Sequence, residues 1–370
     1  MRDAFHFLNK LTPAKAGNAG RILSSYYRSR LSGNTEISGY PITLSIEPTT
    51  SCNLRCPECP SGLRSFTRDT GMLEMELFKK VLDETERHLL YLYLYFQGEP
   101  YLHPQFSELV KYASRKGIYT VTSTNAHYLD NDRARETVES GLSRIIISID
   151  GITQESYAKY RIGGSLQKVL EGTKQLVHWK KKLQSATPHI IFQFVVFSHN
   201  ESEIAEVHRL AKEYGVDEVK IKTAQVYDFE KGSELIPKEG KYARYHLTTS
   251  PISIDSVMLS ASEASHTSEL RDSSLRKASA QNDEPKYQIK NELLNHCWKL
   301  WHSSVVTWDG KVVPCCFDKD AKYVMGDLKQ QRFSEIWNGD AYRSFRTNLL
   351  KSREEIDICK NCTEGTKVWA

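Results

Sequence analysis

Eight cysteines in a chain of 370 residues fall into two groups and nowhere else: Cys52, Cys56 and Cys59, then Cys297, Cys315, Cys316, Cys359 and Cys362. A disulfide framework would spread its cysteines through a small domain, so the clustering points to two metal centres around which the chain must fold. In the first group, spacings of three and two residues let one short loop give a thiolate to each of three irons of a cuboidal cluster, leaving a fourth iron open. Thiolate softness favours iron–sulfur or zinc. A structural zinc wants four closed ligands, and neither this loop nor the distant His6, the only upstream histidine, supplies the fourth. The second group, with its closing Cys359-Lys360-Asn361-Cys362, provides four ligands for one site, and its spacing alone suits a zinc ribbon as well as a cluster.

Between the groups the chain alternates short β-rich runs with amphipathic helical stretches, the pattern of a parallel sheet. Strands are expected near Thr43 to Glu47, Tyr91 to Phe96, Tyr119 to Ser123, Arg144 to Ile149, Ile190 to Val196 and Glu218 to Lys222. Helices are expected near Glu74 to Arg87, Gln105 to Arg115, Asp132 to Ser140, Leu166 to Lys182 and Glu201 to Tyr214. Together they describe an α/β fold, a partial (β/α)6 barrel, whose chemistry sits at the C-terminal strand ends. The first cysteine loop follows the first strand, which is where such a site belongs. The expected division is an N-terminal extension over 1–40, a barrel over 41–230, a linker or insertion over 231–290 and a small cluster-binding domain over 291–370. The Ser-rich stretch 248–286 buries little and reads as a mobile linker, with a lid as the alternative.

Composition excludes more than it assigns. Apolar residues are 39% and charged residues 26%, enough for a globular core, and a net charge of +4 gives no electrostatic case for nucleic acid or an anionic membrane. The longest apolar stretches, such as Ile190 to Phe197, are too short to span a bilayer and no secretory signal opens the chain, so a cytoplasmic protein is expected. Six basic residues against Asp3 in the first thirty faintly resemble a transit peptide, but an amphipathic docking helix from about Arg21 to Arg30 is preferred.

The residues Cys52-x3-Cys56-x2-Cys59 after a first strand match the signature of the radical S-adenosylmethionine (SAM) superfamily, and the resemblance extends over most of the chain. It implies a [4Fe–4S] cluster whose open iron binds SAM, reductive cleavage to a 5′-deoxyadenosyl radical, and hydrogen abstraction from substrate. Gln97-Gly98-Glu99-Pro100 resembles the family's Gly-Glu-Pro motif, with Glu99 accepting from the methionyl ammonium, a plain turn being the alternative. Ser123-Thr124-Asn125-Ala126 is similar to a family Thr-Asn-Gly, with Ala126 in place of Gly; Asn125 is equally readable as a polar strand end. Ser148 and Asp150 end the fourth strand, and Arg161 follows. In related sulfatase-maturase-type enzymes the corresponding serine and arginine contact the ribose and carboxylate of SAM; the alternative for Arg161 is a surface salt bridge. Val196 is a candidate adenine contact or a core valine. Glu58 stands where the family usually has an aromatic residue beside adenine, which leaves a backbone contact and removes the stacking one.

Trp308-Asp309-Gly310-Lys311-Val312-Val313-Pro314-Cys315-Cys316 resembles the opening of a SPASM or twitch domain. Two auxiliary clusters need about seven cysteines and this region has five, so one auxiliary [4Fe–4S] cluster is expected. Cys297, Cys315, Cys359 and Cys362 would close it, with Cys316 spare or exchanging roles with Cys315. Full protein ligation suits electron transfer, and a structural staple is the alternative. The spacing is similar to that of twitch-type dehydrogenases acting on an aminocyclitol alcohol. This implies oxidation, or epimerisation, of a sugar-like or cyclitol substrate, with an external electron donor such as flavodoxin or ferredoxin. Lys222, Tyr227 and Asp228 are candidate bases, and Cys316 is a candidate hydrogen donor for epimerisation. The rival reading is peptide or protein maturation, for which residues 1–40 look short as a precursor-recognition domain. From another class comes a non-enzymatic zinc protein binding a partner.

Overall fold

The computed structural model describes residues 2–248 and 286–368, so the linker-or-lid reading of the Ser-rich stretch falls almost entirely outside the described residues. The chain opens with α1 (Arg2–Leu8) and α2 (Pro13–Ser32), then alternates: β1 (Thr43–Ile46), α3 (Pro60–Leu63), α4 (Met75–Thr85), β2 (Tyr91–Tyr93), α5 (Phe106–Arg115), β3 (Tyr119–Thr124), α6 (Asn131–Glu139), β4 (Arg144–Ser148), α7 (Gln154–Tyr160), α8 (Leu166–Lys182), β5 (His189–Val196), α9 (Ile204–Tyr214) and β6 (Glu218–Thr223). β1 to β6 pair in sequential order, each parallel to the next, which is the partial (β/α)6 barrel expected.

Period-two alternation sorts the strand residues between two faces. Ile145, Ile147 and Ile149, with Ile190, Phe192, Phe194 and Val196, are fully buried in the core under the helices. Burial of Phe192 and Phe194 contributes roughly 1.5–3 kcal/mol each. The helices answer with stripes at helical spacing: Leu77, Phe78, Val81 and Leu82 on α4; Phe106, Leu109, Val110 and Ala113 on α5; Leu166, Val169, Leu176 and Val177 on α8. The opposite strand face, carrying Tyr91, Tyr93, Arg144, Ser148 and Lys222, lines the lumen.

α1 closes the lumen at the N-terminal strand ends. Asp3 accepts from Tyr119 and Arg144, the ring of Phe7 meets that of Tyr119 edge-on at 5.5 Å, and Lys15 of α2 donates to Gly117 O at 2.7 Å. The docking helix is thus longer than Arg21 to Arg30, because Thr12 caps it and Gly33, at φ 71°, ends it.

β7 (Tyr245–Thr248) pairs antiparallel with β8 (Lys286–Ile289), and Val226, Ile236, Ala243 and Tyr245 bury one another beneath them. This stretch lacks regular period, which is why it reads as linker, yet its scattered apolar residues form a small core through turns. The C-terminal part adds α10 (Lys299–His302), β9 (Ser303–Val306), β10 (Lys311–Val313), β11 (Gly326–Asp327), α11 (Phe333–Asn338) and α12 (Asp340–Lys351). β9 pairs parallel with β1, Thr43 opposite Ser303, so the hairpin of β9 and β10 and the short β11 extend the barrel sheet to nine strands. Arg346, fully buried, stacks 4.2 Å from the Trp337 ring and 4.5 Å from that of Tyr342 and donates to two carbonyls, Leu300 O and Trp337 O.

Candidate functional site

The loop leaving β1 carries Cys52, Cys56 and Cys59 over the C-terminal strand ends. It is shaped from the next strand's loop: Gly98 adopts φ +74°, and a Cβ there would stand 2.2 Å from Thr49 O. Gly98 N donates to Ser61 Oγ at 2.8 Å and Glu99 N to Ser51 O at 2.7 Å, so the Gly-Glu step fixes the cysteine loop at both sides. The Glu99 carboxylate is buried and accepts from Thr124 Oγ1 (2.6 Å), Asn125 N (2.8 Å) and Tyr101 N (3.2 Å). Burial nonetheless holds its pKa above the usual range, against those hydrogen bonds and the charge of Arg161. Asn125 Nδ2 donates to Asn53 Oδ1 at 2.8 Å, tying the third strand end to the cysteine loop. Ala126 holds φ 61°, the conformation that favours a glycine.

Ser148 and Asp150 point into the lumen at the end of β4. Asp150, fully buried, accepts from Arg161 Nε at 2.6 Å and from Val195 N at 2.8 Å. Arg161 Nη1 lies 3.8 Å from Cys56 Sγ. The arginine is therefore an internal group aimed at the first cysteine set. Val196 lies on the helix-covered face with Phe192 and Phe194, and Val195, half-buried, occupies the lumen side. Ser123 is half-buried on the lumen side of β3. Glu58 accepts from Tyr227 N at 2.9 Å, so the residue that replaces an aromatic pins the loop after β6. Burial raises its pKa.

The second set gathers at the same mouth. Cys297, Cys359 and Cys362 are buried, Cys315 is half-buried and Cys316 is exposed. The charges of Cys316, Cys362 and Cys359 act on Cys315, that of Cys297 on Cys359 and Cys362, and that of Cys316 also on Cys362, so the five sulfurs form one electrostatic group. Gly365 crosses directly over this group; a Cβ on it would stand 2.3 Å from Cys297 Sγ. Arg353, fully buried, donates to His296 O (3.1 Å) and Glu364 O (2.8 Å) beside Cys297, Cys359 and Cys362.

Burial pushes the thiols of Cys52 and Cys362 up to about 12 and that of Cys359 to about 11. Such thiols ligate as thiolates only where cationic metal repays their desolvation. Among the described residues no three His, Cys, Asp or Glu side chains converge on a point for a single ion. Thiolates that each bind a different iron of a cluster stand farther apart than ligands of one ion, so the donor set fits iron–sulfur clusters.

Charged side chains within reach of both sets outline a polar pocket that the sequence does not announce. Lys319 donates to Tyr227 Oη at 2.8 Å, and its ammonium is within electrostatic reach of Cys59, Cys316, Arg244 and Glu58. Lys299 is paired with Glu364 at 2.9 Å and faces Cys316 and Tyr93. Of the candidate bases, Lys222 is exposed at the end of β6 with its charge reaching Glu364, Tyr227 is 44% exposed with its pKa raised further above the ordinary 10 by partial desolvation, Cys59 and Glu58, and Asp228 is exposed near Glu58. Lys299, Lys319, Arg244 and Glu364 carry no motif. Tyr91 and Tyr93 of β2, with Tyr95 just beyond it, alternate along the chain.

Below the pocket Arg68 forms a bidentate, nearly buried pair with Glu47 (2.6 and 2.9 Å), and Trp308 N donates to the same carboxylate at 3.2 Å. The segment following the first cysteines is thereby fastened to the hairpin that leads to the second.

Residues 46–178 match the family model of the radical SAM superfamily, and residues 297–363 match SPASM, an iron–sulfur cluster-binding domain. The chain is 24% identical over 336 residues to the tungsten-containing aldehyde ferredoxin oxidoreductase cofactor-modifying protein of Pyrococcus furiosus, covering 86% of each. It is 27% identical over 195 residues to the PqqA peptide cyclase of Bradyrhizobium diazoefficiens, 52% of this chain and 49% of that protein. Among solved structures, BtrN in complex with AdoMet and 2-DOIA superposes with a TM-score of 0.51 at 17% identity, over 90% of this chain and 96% of that one. No helix among the described residues is long and apolar enough to cross a membrane.

Proposed function

The chain belongs to the radical SAM superfamily and carries a C-terminal SPASM domain, and on that premise we propose that it oxidises an unactivated C–H position of a sugar-like or cyclitol small molecule, passing the electron to one auxiliary [4Fe–4S] cluster. The observation that carries this reading is Lys319, one ammonium within electrostatic reach of both Cys59 and Cys316, which makes the space between the two sets the natural substrate position.

The first cluster with SAM, when bound, supplies a radical that abstracts hydrogen. Cys52, Cys56 and Cys59 hold that cluster. Glu99, Asn125, Ser148, Asp150 and Arg161 orient SAM: Arg161, steadied by Asp150, presents the remaining edge of its guanidinium to a carboxylate. Gly98 keeps the loop open enough for these contacts. Cys297, Cys315, Cys359 and Cys362 hold the auxiliary cluster, and Cys316 faces the pocket. Tyr227 donates a hydrogen bond to substrate and Asp228 accepts the proton, Lys222 being a cation whose charge reaches Glu364. An external flavodoxin or ferredoxin is the expected electron donor. The peptide-modifying reading has support from the PqqA peptide cyclase likeness.

Anaerobic reconstitution with iron counting and visible absorption tests the reading. On the order of eight irons per chain are expected, with 5′-deoxyadenosine formed from SAM under reductant and none in Cys56→Ala. Stoichiometric zinc without iron would end it.

A further inference from the structure

Arg244 stands just before β7, within electrostatic reach of Lys319 and Glu364 beside the two cysteine sets. Its Nε and Nη1 are both buried and have no hydrogen-bond partner among the described residues, where no other side chain has two such atoms. Each is one half of a guanidinium edge completed by Nη2. The residue as a whole is half-buried, but each buried donor left unpaired bears an uncompensated desolvation cost, so their retention calls for an explanation.

The surroundings show what is missing. The charge of Arg244 acts on Glu364 and on Lys319, so it lies within electrostatic reach of both. Glu364 is engaged by Lys299, and Glu58 by Tyr227 N. Lys222, Lys299, Lys319 and Arg244 are thus grouped with Glu58 and Glu364, both already engaged, and with the exposed Asp228. Two buried donors of this group, both on Arg244, are unsatisfied.

Resting on the reading of this pocket as the substrate site, we infer that the substrate carries a carboxylate, which pairs with Arg244. A guanidinium fork matches a carboxylate by two parallel hydrogen bonds. Glu58 and Glu364 disfavour a dianion such as a phosphate monoester, which leaves a monoanion as the best match. The carboxylate belongs to a sugar acid or to an acidic amino-acid side chain, and the chemistry at Arg244 is the same.

The test uses the reconstituted enzyme with SAM and measures equilibrium binding by titration calorimetry. The probes are D-glucuronate against D-glucose, acetyl-Gly-Glu-Gly-amide against its Gln counterpart, and glucose 6-phosphate. One or both carboxylates should bind at least tenfold more tightly than their neutral partners, and which pair discriminates identifies the source. Arg244→Gln should lose tenfold or more, and Arg244→Lys should recover part of it. Equal binding of acid and neutral partners in the wild-type enzyme, which needs no variant to fold, overturns the inference. So do tighter binding of the phosphate ester, undiminished binding in Arg244→Gln, and the failure of both carboxylates to bind. 5′-Deoxyadenosine is assayed in the same wild-type sample. If it forms while the carboxylates fail to discriminate, this inference alone falls; if it does not form while they bind through Arg244, only the radical reading falls.

Discussion

Arg161 donates from Nε to the buried carboxylate of Asp150 at 2.6 Å, with its Nη1 on Cys56 Sγ at 3.8 Å. The pair links the fourth strand end to the first cysteine set, and losing one partner leaves the other buried and uncompensated. Arg161→Met should cost about 3–5 kcal/mol of stability and abolish SAM cleavage, with Arg161→Lys recovering stability better than activity because it cannot reproduce the fork. Chemical denaturation alongside a 5′-deoxyadenosine assay checks both, and an unchanged denaturation midpoint in Arg161→Met would count against the pair.

Gly98 and Ala126 share the left-handed region but should respond oppositely to exchange of glycine and alanine. Gly98→Ala places a Cβ 2.2 Å from Thr49 O, and a loss above about 2 kcal/mol together with poor iron loading is expected. Ala126→Gly relieves a residue held at φ 61°. The left-handed penalty outweighs the added entropy of glycine, so a gain of about 0.5–1 kcal/mol is expected. Urea denaturation with an unchanged slope would register it.

Cys315 and Cys316 adjoin in sequence and differ in exposure. Cys315→Ala should lose about half of the bound iron, whereas Cys316→Ala should keep it and alter only turnover. Iron content with electron paramagnetic resonance of the reduced protein distinguishes them; the opposite pattern would assign the ligand to Cys316.

Burial lowers the pKa of Lys15 from its ordinary 10.5 to about 8 in the folded protein. Below the lower value the ammonium is charged in both states and folding bears its desolvation. As pH rises from about 8 to 10.5 the folded state loses the proton first and stability rises. Lys15→Met should remove this rise. Denaturation midpoints of both proteins across that window provide the comparison, and parallel curves would refute it.

The six barrel strands were legible because each alternates or runs apolar over a length that only a strand satisfies, and the cysteine spacing exposed both metal sets. α7 escaped because its seven residues, Gln154–Tyr160, are mostly polar; its signal was the Thr153 and Ser156 cap that the structure forms. Val196 shows a different limit: the strand could be read, but which of Val195 and Val196 faces the lumen depends on register. The pocket was least visible. Arg244, Lys299, Lys319 and Glu364 come from distant parts of the chain and meet only through tertiary packing, and none sits in a local pattern.

β1 has β2 on one side and β9 on the other, with Thr43 opposite both Tyr91 and Ser303. The strand that carries the first cysteine loop therefore obtains its second neighbour only after the whole barrel, through β6, has been synthesised. Until then β1 is an open sheet edge, a template for association with other nascent chains. A C-terminal domain borrowed from a relative would have to bring a strand matched to that edge as well as cysteines matched to a cluster. For this chain, inheritance of the auxiliary domain is tied to inheritance of the barrel's first strand.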